Sequence, residues 1–321
     1  MNVTGADGAT SLVLPTGESL WVFGDTVEGP FESIHGLDLA PLRSNTGALA
    51  PVQDAAAGLK RFRFLATADR KRPRQLVPYL PDEDPARQRL WAIHGACVGQ
   101  TAYLYYHRIS LLKGVDVFQS FKLEGMGLAR ADARALEFTR LDAADGTREF
   151  WKGDQPGFGV FVEQTRDYVY LWGSLMTGMF LARVQPDAIE NSAAYEYLVA
   201  APTPARPEVE PRWADQFEPA AVLFDNVPNE MSAAYNPHLR TYVAVHALGR
   251  DGKIAMRTSP RITGPWSPPE IIYEPAPLRE GDLIYAAKEH PELAGDGGRR
   301  MYVTYVNSQT YAPQLIEVNL K

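Results

Sequence analysis

Asp7 and Asp25 stand in two Gly-flanked turns, GADGATS and WVFGDT, and the stretch between them, SLVLPTGESLWVF, reads as two apolar strands joined at Pro15-Thr16-Gly17-Glu18. Proline fixes φ and glycine supplies positive φ, so this is a hairpin signal with a mechanism. The two aspartates are equally distant from Thr16, which sets them across from each other at one end of the hairpin. Directly opposed strand positions lie about 5 Å apart at Cα, near enough for each carboxylate to alter the other's titration. Such a pair can divide general-acid and general-base work, although an Asp beside a Gly is also an ordinary turn former.

The elements that must carry these residues recur along the chain. One aromatic, alternating strand pattern appears as SLWVFGD from Ser19, AYLYYHR from Ala102, DYVYLWGS from Asp167, TYVAVHA from Thr241 and MYVTYVNS from Met301, at intervals of roughly 60 to 85 residues. Each copy follows a polar turn, and a stretch rich in small residues precedes each turn, as an innermost propeller strand requires. The 25 prolines and 26 glycines favour many turns over long helices, and the best helix candidates, ARADARALEF and PDAIENSAAYEYL, read equally well as loop. The sequence therefore predicts an all-β, five-bladed β-propeller forming a single domain over residues 1–321; a two-domain β-sandwich would space its strands more closely and evenly.

In a propeller the first strand of a blade and the end of the second meet on one face. Applied blade by blade, that rule gathers Asp7 and Asp25; His94, paired with Tyr106; Trp151 and Asp154; Asn229 and Glu230 beside His246; and Tyr285 and Lys288 with Asn307. Carboxylates, amides and aromatic rings at one channel mouth are the chemistry of carbohydrate handling: rings stack on sugar faces, and two carboxyl groups of different pKa supply acid and base. Glu230 is the third acid of the set. His94 and His246 read equally as hydrogen-bonded core histidines, and Trp151 as a sugar platform or a hydrophobic plug.

Composition bounds the partners. A formal charge of −7 gives no electrostatic reason to expect nucleic acid or an anionic membrane, and a neutral or cationic ligand suits the chain better; the site residues point to a polysaccharide or oligosaccharide. The single cysteine, Cys97, excludes an intrachain disulfide and a thiolate metal cluster. No cofactor is expected, and nothing indicates a structural Ca²⁺. The chain reads as soluble, without an export signal. GxSxG, HExxH, P-loop and CxxC signatures are all missing.

GADGATSLVLPTGESLWVFGDT, SNTGAL, NEMSAAYNPHLRTYVAV, TSPRITGPWSPPEIIY and KEHPEL with MYVTYVNS together resemble the domain of unknown function 4185 family, over nearly the whole chain. The resemblance implies a five-bladed propeller, usually exported, in a group that contains glycoside hydrolase family 183, endo-acting enzymes that cut the D-arabinan of mycobacterial arabinogalactan and lipoarabinomannan. It implies that Asp7 and Asp25 are the catalytic carboxylates, with Glu230 as acid or pKa modulator, and it leans towards inversion. A non-catalytic glycan-binding propeller is the alternative, and an interaction platform a third.

Overall fold

The computed structural model describes residues 1–31, 42–112, 120–227, 230–249, 252–276 and 279–321. Among them there is no α-helix. Both helix candidates resolve into loop and strand, with 3-10 turns at Pro186–Ala188 and Ser192–Ala194.

The first part of the chain holds β1 (Val3–Ala6), β2 (Thr10–Val13), β3 (Glu18–Val22), β4 (Asp25–Glu28), β5 (Arg43–Ser44), β6 (Gly47–Pro51) and β7 (Arg63–Phe64). These strands form two antiparallel sheets, β2-β3-β6-β7 and the small β1-β4-β5. The second large sheet is built from β8 (Gln88–Val98), β9 (Thr101–Leu111) and β10 (Phe121–Asp132), with β11 (Thr139–Arg140) and β12 (Trp151–Lys152) both on β10. β13 (Gly157–Gln164), β14 (Val169–Leu175), β15 (Gly178–Val184), β16 (Glu196–Ala200) and β17 (Arg212–Ala214) make the third in sequence order. The fourth is β18 (Met231–Asn236), β19 (Thr241–Ala247), β20 (Ile254–Ser259) and β21 (Glu270–Tyr273), and the fifth is β22 (Ile284–Glu289), β23 (Arg300–Asn307) and β24 (Ala312–Asn319).

Near-continuous buried runs in β3, β9, β13 and β19 bury both faces of those strands, so the core is divided among the seams between sheets. Leu12, Leu20, Leu90 and Leu104 fill the seam of the first and second; Tyr105, Trp151, Phe158 and Leu171 that of the second and third. Phe161, Trp172, Met231 and Ala244 join third to fourth, and Val243, Val245, Val303 and Tyr305 join fourth to fifth. Trp21, Phe23, Leu293 and Tyr302 then join the fifth sheet back to the first. The all-β architecture is of the propeller type, with the first strand of every sheet toward a common axis.

Histidines stitch that axis together. The Val162 amide donates to His94 Nδ1 at 3.1 Å, which puts the ring proton on Nε2, and Nε2 donates to the Ser11 carbonyl at 3.1 Å. One imidazole thus ties β8 to both β2 and β13. His290, just past β22, contacts Ser11 Oγ (2.6 Å) and Thr304 Oγ1 (2.7 Å) and stacks on Trp21.

One register detail and one side-chain direction differ from the sequence expectation. The turn after β8 centres between Gly99 and Gln100, so His94 pairs with Tyr105 and not with Tyr106; beyond an irregularity at Ile93, Ala92 takes Tyr106. Met231 pairs with His246, as the hairpin of the fourth sheet requires, but the His246 side chain turns into the sheet's own packing.

Candidate active site

The first hairpin is one ladder broken in the middle. Thr10 pairs with Val22 on one side of the break and Ala6 with Thr26 on the other, the same register across the break, so Asp7 falls opposite Asp25. Gly8 (φ 81°) and Ala9 (φ 51°) turn the chain out of the ladder between the two sheets. Left-handed backbone is free for glycine and strained for alanine, so the break is built in at a cost. Its hydrogen bonds converge on the aspartates: the Asp25 amide donates to Asp7 Oδ1 at 2.7 Å, the Gly24 amide to the Asp7 carbonyl at 3.0 Å and the Asp7 amide to the Asp25 carbonyl at 3.2 Å.

The two carboxyl groups have different surroundings. Asp25 is 2% exposed, with Oδ1 3.3 Å from Nε of Arg89, itself 1% exposed, while Oδ2 accepts the Trp91 indole N–H at 3.0 Å. Burial pushes Asp25 up, and Arg89 and then Trp91 oppose the shift. Asp7 is only partly buried, and among the described residues no cation pairs with it. Burial, the charge of Asp25 and the charge of Glu230 push it up to about 7, against the hydrogen bonds from the Asp25 amide and the Tyr311 hydroxyl. The Tyr285 hydroxyl also donates to Asp7 Oδ2, at 3.4 Å.

Glu230, in the segment entering β18, completes the group. Its side chain is 18% exposed and its Oε1 accepts from Lys288 Nζ at 3.0 Å. Asp7, Asp25, Glu230 and Tyr285 therefore come together. Asn307 lies near them, but its side chain accepts the Gln309 amide and its carbonyl the Tyr311 amide, so it shapes the turn that presents Tyr311.

Four other expected site residues lie elsewhere or are occupied. His94 is saturated between Ser11 and Val162, and its burial pushes it down to about 3. His246 has both nitrogens engaged, with the Ala247 carbonyl (2.8 Å) and Arg257 Nε (3.1 Å), and burial pushes it down to about 4. Trp151 is 1% exposed, enclosed by Tyr105, Phe150, Phe158 and Tyr195, with its indole N–H on the Tyr197 hydroxyl at 2.7 Å; no ring face is left for a sugar. Asp154 sits exposed in the turn after β12. Asn229 lies outside the described residues.

Arg89, Trp91 and Tyr311 were missed. The first two are two residues apart in QRLWAIH, hence on one face of β8, and an Arg-x-Trp pair at the open end of an inner strand is a readable signal. Tyr311 reaches Asp7 only through the left-handed turn before β24 (φ 47°), which no periodicity announces. Among the described residues no three His, Cys, Asp or Glu side chains are grouped to hold a metal ion, and no helix is long and apolar enough to cross a membrane.

Comparison with known proteins adds a family and a fold. The model of a domain of unknown function, DUF4185, matches residues 1–317. No curated protein sequence matches the chain significantly. Among solved structures, a Bacteroides ovatus protein provisionally described as a hydrolase superposes with a TM-score of 0.66 at 16% identity, over 99% of this chain and 86% of that one. A GH43_1 enzyme from Xanthomonas citri, complexed with xylotriose, gives 0.55 at 14% identity over 100% and 88%. A GH43 beta-xylosidase/alpha-arabinofuranosidase from a compost metagenome, also with xylotriose, gives 0.52 at 14% over 99% and 92%.

Proposed function

The chain belongs to the DUF4185 family, and from that premise we propose that it is a glycoside hydrolase, a single five-bladed propeller over residues 1–321 that cleaves internal arabinofuranosidic linkages of D-arabinan. The observation that carries the proposal is the Asp7/Asp25 pair: one partly and one fully buried carboxyl group joined by the Asp25 amide to Asp7 Oδ1 hydrogen bond at 2.7 Å, the fully buried one beside a buried arginine. That asymmetry divides the roles. Asp7, pushed up to about 7, carries a proton near neutrality and is the general acid toward the leaving glycosidic oxygen. Asp25 is too buried to meet a sugar and keeps the proton on Asp7 by its charge. Glu230, partly exposed and ion-paired with Lys288, is the carboxylate that activates water or meets the anomeric carbon.

In that scheme Asp7 gives its proton to the leaving oxygen as the glycosidic bond breaks. Glu230 takes the proton of the attacking water, and the free hydroxyl of the product carries off the proton that Asp7 gave. The outcome follows carboxyl separation, about 5 to 5.5 Å for retention and about 6.5 to 9.5 Å for inversion; we favour inversion, with water between Glu230 and the sugar. The furanoside preference follows the family resemblance and agrees with an alpha-arabinofuranosidase among the structural neighbours. The formal net charge of −7 is compatible with a neutral glycan.

The test is incubation with D-arabinan, L-arabinan, galactan and arabinogalactan followed by product sizing. Oligosaccharides from D-arabinan and arabinogalactan, at a kcat/KM that falls as pH rises through about 7, are expected. Binding without any product would leave a glycan-binding propeller instead.

A further inference from the structure

Lys288 on β22 is a buried cation, 1% exposed, whose ammonium donates to the Gly8 carbonyl at 2.7 Å, to Thr10 Oγ1 at 3.0 Å and to Glu230 Oε1 at 3.0 Å. An ammonium has three protons, and all are used. The acceptors come from the turn that carries Asp7, from the start of β2 and from the segment entering β18. One side chain therefore connects the first, fourth and fifth sheets beside the aspartates.

The strand is bent to achieve this. Residues three apart on a regular strand face opposite sides, so Tyr285 and Lys288 could not both point at the Asp7 turn. β22 carries one extra residue between them: Tyr285 pairs with Val306, Lys288 pairs with Thr304, and Ala286 takes a left-handed φ of 55°. A bulge at a fully buried alanine is strain held in place for what it aims.

We propose that Lys288 is a positioning residue, whose ammonium clamps Glu230 against the Asp7 turn and so fixes a negative charge facing Asp7. The proposal rests on reading Asp7 as the acid. The groups facing Asp7 are Asp25, Glu230, Tyr285 and Tyr311, with Arg89 behind Asp25 and Lys288 behind Glu230. Remove the ammonium, and the Glu230 carboxylate is no longer held against the Asp7 turn, so its charge stops opposing ionisation of Asp7. Asp7 then ionises at lower pH.

Lys288→Met, Glu230→Gln and the double variant test this, read by carbon-detected NMR titration of ¹³C-labelled aspartate carboxyls and by pH–rate profiles on D-arabinan. The Asp7 midpoint is expected to fall by about one pH unit in each single variant and no further in the double, because the two changes act through one charge. The loss of kcat/KM in the double variant should match that of Glu230→Gln alone. An unmoved Asp7 midpoint in folded Lys288→Met, or losses that multiply in the double variant, would overturn the proposal. If Lys288→Met does not fold, an unmoved midpoint in Glu230→Gln overturns it equally. A wild-type protein that cuts no glycan defeats the functional reading alone, since the titration still decides the role of Lys288.

Discussion

The inner strands carry carboxyl groups at both ends, and the two ends treat them in opposite ways. At one end Asp25 has Arg89, Glu230 has Lys288, and Asp7 stands between them as the group pushed up to about 7. At the other end of β13 and β22 lie Glu163 and Glu289, with Glu292 just beyond; among the described residues no Arg or Lys pairs with any of them. Burial pushes Glu163 up to about 7 and, with the charges of Glu292 and Glu163, Glu289 up to about 8; Glu292 is raised as well. An uncompensated group of buried acids settles by holding protons, which is a structural solution. A group supplied with two buried cations keeps charge in fixed places around one protonatable acid, and that asymmetry is what acid–base chemistry needs.

The largest effects should break the first end. Asp7→Asn is expected to lower kcat on arabinan by about 10²- to 10⁴-fold with Tm nearly unchanged, because among the described residues Asp7 has no ionic partner to strand. Asp25→Asn should lose comparable activity but also about 3 to 5 kcal/mol of stability, since Arg89 would be left a buried, unpaired cation. Chemical denaturation of the two variants separates these outcomes, and equal stabilities would remove the distinction drawn between the two aspartates.

Trp151→Ala tests whether the aromatic cluster belongs to the fold or to the site. Loss of about 3 to 5 kcal/mol is expected from the cavity, with KM at a permissive temperature unchanged. A raised KM in a stable variant would return Trp151 to the substrate.

Glu289→Gln probes the far end by pH. A carboxyl whose folded pKa lies near 8 favours the folded state fully below its unfolded value, and that contribution is lost as pH rises through the folded one. The variant should match the wild type in Tm at about pH 4 and exceed it at about pH 8.5, with activity unaltered. A Tm difference that is the same at both pH values would show that Glu289 is not protonated in the fold. The smallest effect is expected of Asp154→Ala, within about 0.5 kcal/mol and without change in kcat/KM, as for any exposed turn residue.

Much of this was legible in the residues, and the limits have physical causes. The Asp7/Asp25 pairing could be read because hairpin register propagates from the Pro15–Gly17 turn, and it survives the break at Gly8 and Ala9 because the ladder resumes in step. Tyr285 and Lys288 could be placed on one strand, but their sharing a face depends on the bulge at Ala286, which alternation alone would deny. His94, His246 and Trp151 were assigned to the mouth from their strand positions, yet which way a ring turns is decided by the neighbouring sheet: Val162 and Ser11 for His94, Arg257 and Phe224 for His246, Tyr195 and Tyr197 for Trp151. Those partners are distant in sequence. Arg89 differs from these: its place two residues before Trp91 in QRLWAIH is readable, although it precedes the apolar run that marks β8.

The most direct measurement is release of new reducing ends from D-arabinan by the wild type and Asp7→Asn, purified together and matched in Tm. Steady release of oligosaccharides is expected from the wild type and none above background from the variant. A folded Asp7→Asn protein that cleaves at the wild-type rate would contradict the acid role of Asp7.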